Sequence, residues 1–368
     1  NKFMKKILLV IIFIFSFSTI SLSENFNLKK IASFAKPWGS TFINDSELLI
    51  TEKIGKIKLV NIDDGKIIEI KHNLKFKNAG QGGLLDIIYK DNYVWISYTE
   101  EVKKRIYSTS IARGKLNKKK IKFKNIFRSK PDDISTEFHF GSRLAIKDNY
   151  LFASIGERGL GGLVQDPKNH LGSIIRIKLN GKIPKDNPKF TNQPDWLPEI
   201  YQIGVRNPQG LTVSPINGKV FASNHGAKGG DWFGEVKKGK NYGWPILGWG
   251  GTNYDGTKIG PKWKPGFTKA IHYWVPSIGA SAITIYKGKE FSEWDGKALI
   301  ASLRAKSLIK LDFHNLKEVK EEIIFNNKID RIRDIQVHPS NGKIYLLSEK
   351  NYGQDGPEED GLWLMEKN

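Results

Sequence analysis

The chain has 368 residues, with 59 Lys+Arg against 38 Asp+Glu for a formal charge of +21, 39% hydrophobic and 26% charged residues, and no cysteine. That balance suits a globular protein and excludes a polytopic membrane chain or a disordered one. The missing cysteine excludes a disulfide scaffold, a thiolate zinc site, an iron–sulfur cluster and a cysteine nucleophile. Ten of the cations are arginine and forty-nine are lysine, solvated point charges rather than forks for bases or phosphates, so the charge does not argue for nucleic-acid recognition.

Residues 1–23 read as a leader. Lys2, Lys5 and Lys6 precede an apolar run over 7–15, and the segment ends in the small-x-small triplet Ser21-Leu22-Ser23. This is the order of a secretory signal peptide, cleaved between residues 23 and 24. The apolar core is well short of the ~20 residues that span a bilayer. The expectation is an exported, periplasmic protein of one domain, residues 24–368, with no stable membrane insertion after cleavage.

The rest of the chain lacks long 3.6-residue periodicity and is built of short β-branched or aromatic runs bounded by Gly, Asn and Asp. One unit recurs: a turn, four or five mostly apolar residues, then a hydroxyl. It occurs at 46–51, 91–97, 148–154, 217–223, 295–302 and 341–348, ending at Thr51, Ser97, Ser154, Ser223, Ser302 and Ser348. A strand-bearing repeat of this length predicts an all-β fold, a six-bladed β-propeller, with the longer intervals holding loops inserted on one face. A decorated β-sandwich is the alternative, but it does not account for a recurring turn–strand unit.

Along this framework, the basic run over 115–130 has Ile121, Phe123 and Ile126 threaded through it and reads as an exposed edge or hairpin. It is either a solvated face or the seat of an anionic surface partner. His139 lies just before the third echo with Arg143 nearby, a cation that would disfavour imidazolium. It is a candidate general base or a buried, hydrogen-bonded histidine. Arg206-Asn207-Pro208-Gln209-Gly210 is a turn between two strands. His225-Gly-Ala-Lys-Gly-Gly-Asp231 is a glycine-rich loop whose carbonyls can approach a ligand or a hard cation closely. Arg331 and Arg333, two apart on a strand, project to one face. They form either a clamp for a polycarboxylate or phosphate, or internal salt bridges to Asp334 and a neighbour.

Taken in order, Ala79-Gly-Gln-Gly-Gly-Leu-Leu-Asp86, His139-Phe-Gly-Ser-Arg-Leu144, Leu171-Gly-Ser-Ile-Ile-Arg-Ile177, Gly204-Val-Arg-Asn-Pro-Gln-Gly-Leu211, Gly239-Lys-Asn-Tyr-Gly-Trp-Pro245 and Arg331-Ile-Arg-Asp334 resemble the soluble quinoprotein sugar dehydrogenases, the glucose/sorbosone dehydrogenase family, and most of all its periplasmic aldose branch. The resemblance implies a six-bladed propeller that uses pyrroloquinoline quinone (PQQ) and Ca²⁺ to oxidise aldose sugars at C1 to lactones, passing electrons to an external acceptor. It implies His139 as the base and Gln81 as a residue of the same pocket. Arg206 and Asn207 would contact the quinone oxygens, and Arg331 and Arg333 the cofactor's carboxylates. Arg304 stands where the family has a quinone-contacting lysine. Gly226 and Ala227 fall where backbone carbonyls hold Ca²⁺, and Ala227 replaces a proline. Phe138 replaces an acid beside the base, which implies a different sugar preference. Asp231 and Tyr242 match part of a second calcium site whose other acid is replaced by Trp232. Two rivals stand beside this reading: a calcium-dependent propeller lactonase, which needs acids converging on the metal, and a non-catalytic module that has lost PQQ.

Overall fold

The computed structural model describes residues 26–117, 119–190, 192–350 and 361–368, so the leader read over 1–23 lies outside the described residues. The first strand, β1 (Phe26–Ser33), is followed by β2 (Pro37–Phe42), β3 (Glu47–Glu52), β4 (Lys56–Asn61) and β5 (Ile67–His72), a four-stranded antiparallel meander. The second meander is β6 (Leu84–Lys90), β7 (Tyr93–Lys103), β8 (Ile106–Asn117) and β9 (Lys120–Arg128). The third is β10 (Gly141–Lys147), β11 (Tyr150–Ile155), β12 (Ser173–Lys178) and β13 (Ile200–Ile203). Next come β14 (Asn207–Val213), β15 (Val220–His225), β16 (Asp231–Glu235) and β17 (His272–Trp274). The fifth holds β18 (Ala280–Ile285), β19 (Ala298–Ser302), β20 (Ser307–Asp312) and β21 (Lys320–Asn326). The last three strands, β22 (Arg331–Val337), β23 (Ile344–Glu349) and β24 (Gly361–Lys367), are completed by β1, which pairs with β24 and so ties the two ends of the chain together. A short parallel pairing of Lys71 and His72 with Lys120 and Ile121 joins the first two meanders into one eight-stranded sheet. The protein is all-β with several sheets, consistent with a β-propeller.

Each meander's first strand packs against the first strands of its two neighbours, in the cycle β2, β6, β10, β14, β18, β22 and back to β2. The core is divided accordingly. Because strand residues alternate faces, Leu49 packs toward the second meander with Leu84 and Ile96, while Leu48 and Ile50 pack toward the last with Leu347 and Leu362. Trp95 and Ile111 likewise meet Leu151 and Ile175 of the next meander. Strands covered on both faces read as continuous apolar runs, which is why the echoes carry so few polar residues.

The recurring hydroxyls lie on the second strand of each meander and are fully buried. Every first strand has a register break near its start, at residues 37–40, 84–87, 141–144, 208–210, 280–283 and 332–334. At three of the breaks a freed backbone N–H is answered by the hydroxyl of Thr51, Ser97 or Ser154. Ser97 Oγ accepts from the Asp86 N–H at 2.9 Å and donates to the Ser142 carbonyl of the next meander at 2.6 Å. Ser154 repeats this with the Arg143 N–H and the Pro208 carbonyl, and Ser223 donates onward to Ser281. Ser302 departs from the pattern by bonding Ile278 of its own meander, and Ser281 makes the onward bond to Ile332 instead. Ser97→Ala leaves two backbone groups unsatisfied in the core and is expected to lower stability by about 1–3 kcal/mol, read from chemical denaturation.

Candidate active site

First and second strands run antiparallel, so the starts of the first strands and the ends of the second strands meet at one end of the ring. The candidate residues gather there. A cavity of about 460 Å³ is lined by Gln81, Asn207, Gly226, Ala227, Arg304, Arg331 and Arg333, together with Trp38, Lys53 and His225. His139 and Arg206 adjoin this lining: Gln81 Oε1 accepts from the His139 backbone N–H at 2.8 Å, and Arg206 donates to the Gly226 carbonyl at 2.6 Å.

His139 sits in the loop entering β10 at φ +56°, in the left-handed region that non-glycine residues seldom occupy. A close approach holds it there: its carbonyl lies where a Cβ on Gly156 would be, 1.8 Å away, so only glycine fits at 156. The ring's Nδ1 bonds Glu157 Oε1, which leaves Nε2 as the nitrogen available to accept a proton. Burial holds the His139 pKa below the ordinary imidazole value; the Arg206 and Arg158 charges add to this, and Glu157 opposes it. The exposed Phe138 ring packs edge-on against the imidazole at 4.9 Å.

Arg143 is not the cation beside His139. It lies inside β10 on the channel face, where NH1 bonds Asp86 at 3.1 Å and Asp334 at 2.8 Å. Its other donors reach the Gln209 and Arg333 carbonyls, and its guanidinium lies 4.3 Å from the Trp38 ring centroid. Two buried carboxylates, Asp86 on the neighbouring β6 and Asp334 on β22 across the ring, draw it to the axis. The expected nearness to His139 came from sequence spacing alone.

Arg331 and Arg333 do share a face, and their common partner is Glu349, not Asp334. Arg333 makes two bonds to Glu349, at 3.0 and 2.6 Å, and a third to Gln209 at 2.9 Å; Arg331 reaches Glu349 at 3.2 Å. Among the described residues one buried carboxylate lies between the two guanidiniums. Arg304 is exposed at the cavity lining. Burial pushes the Lys53 pKa down to about 8, with Arg333 and Lys36 adding to the effect and Glu349 opposing it.

The glycine-rich loop is clasped by Asp231. Its carboxylate is fully buried and accepts from the Gly226 N–H at 2.8 Å, the Ser277 hydroxyl at 2.6 Å and the Ala280 N–H at 2.9 Å. Trp232 stacks on Tyr242 at 4.0 Å, and the Tyr242 hydroxyl donates to the Glu235 carbonyl. The Asp231 carboxylate is committed to the loop, and an indole stands at 232 where the expected second calcium site has its other acid. Among the described residues no group of three or more His, Cys, Asp or Glu side chains is placed to hold a metal ion. At the first expected site the donors are the Gly226 and Ala227 carbonyls, one of them already accepting from Arg206, so an ion there needs further oxygens from water or a bound ligand.

His225 was not expected as a site residue. It lines the cavity, its Nε2 is enclosed without a hydrogen-bond partner, and burial pushes its pKa down to about 4, with Asp231 opposing and Arg333 and Arg206 adding to the effect. As pH falls through about 6.5 the unfolded chain takes up a proton that the folded ring resists until about 4, so stability is lost across that window. His225→Gln is expected to remove this part of the loss, read as the difference between the two proteins' denaturation midpoints from pH 7 to 4. Lys53, Glu157, His225 and Glu349, all unassigned from sequence, lie one to three residues after Thr51, Ser154, Ser223 and Ser348. The echoes themselves were the signal that locates them.

Comparison with known proteins shows what the chain is similar to. The family model described as Glucose / Sorbosone dehydrogenase matches residues 34–357. Aldose sugar dehydrogenase YliI of Escherichia coli (strain K12) is 32% identical over 332 residues, covering 86% of this chain and 88% of that protein. Quinoprotein glucose dehydrogenase B of Acinetobacter calcoaceticus is 27% identical over 421 residues, covering 89% of this chain and 86% of its own length. The crystal structure of the soluble aldose sugar dehydrogenase from Escherichia coli in the apo-form superposes with a TM-score of 0.85 at 29% identity, over 93% of this chain and 100% of that one. With the match running through nearly all the described strands and through every segment that lines the cavity, the chain belongs to the glucose/sorbosone dehydrogenase family.

Proposed function

We propose that this protein is a PQQ-dependent aldose sugar dehydrogenase, built as a six-bladed propeller, that oxidises the sugar at C1 to the lactone with His139 as general base. The observation that carries the reading is a histidine oriented by Glu157 beside an arginine-lined cavity. The six-blade count is supported by the closed cycle of first strands.

When bound, the quinone supplies the acceptor for a hydride, and calcium at the Gly226 and Ala227 carbonyls supplies Lewis-acid polarisation of its oxygens. Arg331 and Arg333 hold the cofactor's carboxylates, Arg304 and Asn207 border the same cavity, and Arg206 and Asn207 are assigned to the quinone oxygens. His139 Nε2 takes the proton of the C1 hydroxyl as C1 gives up its hydride, so the C1–O bond becomes a carbonyl. Glu157 on Nδ1 orients the ring and stabilises the imidazolium that forms. Gln81 fixes the loop through the His139 N–H. An external electron acceptor completes turnover. The charge, apolar and small-residue order of residues 1–23 supports export to the periplasm.

The test is titration of purified protein with PQQ, with and without Ca²⁺, following quinone absorbance and dye-linked oxidation of aldoses. Saturation at one equivalent, dependence on Ca²⁺ and appearance of the lactone are expected. A protein saturated with PQQ that oxidises no aldose sinks the assignment.

A further inference from the structure

The basic run over 115–130 folds into the β8–β9 hairpin, remote from the cavity at the ring axis. Ile121 and Phe123 point into the core, so Lys122 and Lys124 point out. Their register partners are also cations: Lys115 lies directly opposite Lys122, and Arg113 opposite Lys124. Like charges directly opposite across a strand pair repel, and the strand period places all four on one face. On the same face β7 presents Tyr93 opposite Lys115 and Trp95 opposite Arg113. The Arg113 guanidinium lies 3.6 Å from the Tyr93 ring centroid and 5.2 Å from that of Trp95.

A turn of the third meander closes the other side. Trp95 Nε1 donates to the Leu179 carbonyl at 2.8 Å, and Gly181 is seated so tightly that a Cβ there would meet the Ile126 carbonyl at 2.7 Å. Between turn and hairpin lies a groove of about 590 Å³, with Lys182 on its far wall and no Asp or Glu in its lining. Among the described residues none of Arg113, Lys115, Lys122, Lys124 or Lys182 has a carboxylate within 4 Å. Arg113 Nε is enclosed and without a partner, an unmet donor in a fork that the aromatic rings hold in place.

We propose that this groove binds a phosphate-bearing polyanion, with Arg113 as the fork and the lysines as surrounding point charges. With strand positions about 5 Å apart across the pair and about 7 Å apart along it, one ligand bearing several negative charges can reach more than one of these cations, whereas a single carboxylate leaves most of the repulsion in place. The ligand is a soluble oligophosphate or a row of membrane phosphate headgroups.

Two binding arms separate those sources: calorimetric titration of the full chain with sodium tripolyphosphate, and cosedimentation with phosphatidylglycerol vesicles against phosphatidylcholine ones. Saturable binding is expected in at least one arm. Lys122→Gln/Lys124→Gln should weaken it tenfold or more, while Lys103→Gln/Lys104→Gln, which removes the same charge from the hairpin at the far end of β7, should change it by less than about twofold. Relief of like-charge pairs should leave the melting temperature of the first variant at or above wild type. If that variant melts lower, Arg113→Lys decides, since it keeps the charge, loses the fork and should still weaken binding. No binding in either arm overturns the proposal, as does equal weakening by the two double variants or unchanged binding by Arg113→Lys. Aldose oxidation should be unaffected throughout.

Discussion

His139→Gln is expected to bind PQQ and Ca²⁺ normally and to lose about 10²–10⁴ of turnover per bound quinone, the usual contribution of a positioned general base. The geometry separates the two readouts, because Arg331 and Arg333, the proposed carboxylate clamp, lie on β22 and not on the segment that carries the proposed base. The pH profile is a second check. The imidazole accepts a proton only when neutral, so the rate falls as pH drops through the folded pKa, which lies below the ordinary 6.5 because burial and the Arg206 and Arg158 charges disfavour imidazolium. Glu157 is the group that raises this pKa, so Glu157→Gln should move the acid limb to still lower pH. If His139 were only a packed, hydrogen-bonded histidine, its variants would be less stable while the folded fraction kept near-normal turnover. Full activity per bound quinone in His139→Gln ends the claim.

Arg331→Ala is expected to weaken quinone binding by about ten- to a hundredfold, the equivalent of ~1.5–3 kcal/mol for a lost charge-assisted bond, with little change in melting temperature. Glu349 keeps its two shorter bonds from Arg333 in that variant, so no buried carboxylate is stranded. Arg333→Ala should behave differently. It removes those two bonds and the one to Gln209 and leaves the buried carboxylate, among the described residues, with the longer hydrogen bonds from Arg331, at a cost of about 3–5 kcal/mol in stability as well as cofactor affinity. Calorimetry with PQQ beside thermal melts distinguishes the two. Unchanged quinone affinity in Arg331→Ala would remove the main support for the clamp.

Much of the architecture is legible in the sequence, because the signals are local. A turn, an apolar run and a hydroxyl recur wherever a second strand is buried on both faces, so Thr51, Ser97, Ser154, Ser223, Ser302 and Ser348 mark the meanders one by one. The i, i+2 spacing of Arg331 and Arg333 likewise placed both on one face. Partners were a different matter. Strand periodicity says which way a side chain points and nothing about what it meets, and the neighbours here are far apart in the chain. Arg143 finds Asp334 across 191 positions, and Arg333 finds Gln209 across 124. Ring closure sets those distances. It took Arg143 away from His139 and put Arg206 and Arg158 near it, gave the arginine pair Glu349 in place of Asp334, and committed Asp231 to a loop. The residue types and their faces were written in the sequence; which charges meet was decided when the meanders closed into a ring and brought the strand ends together at one cavity.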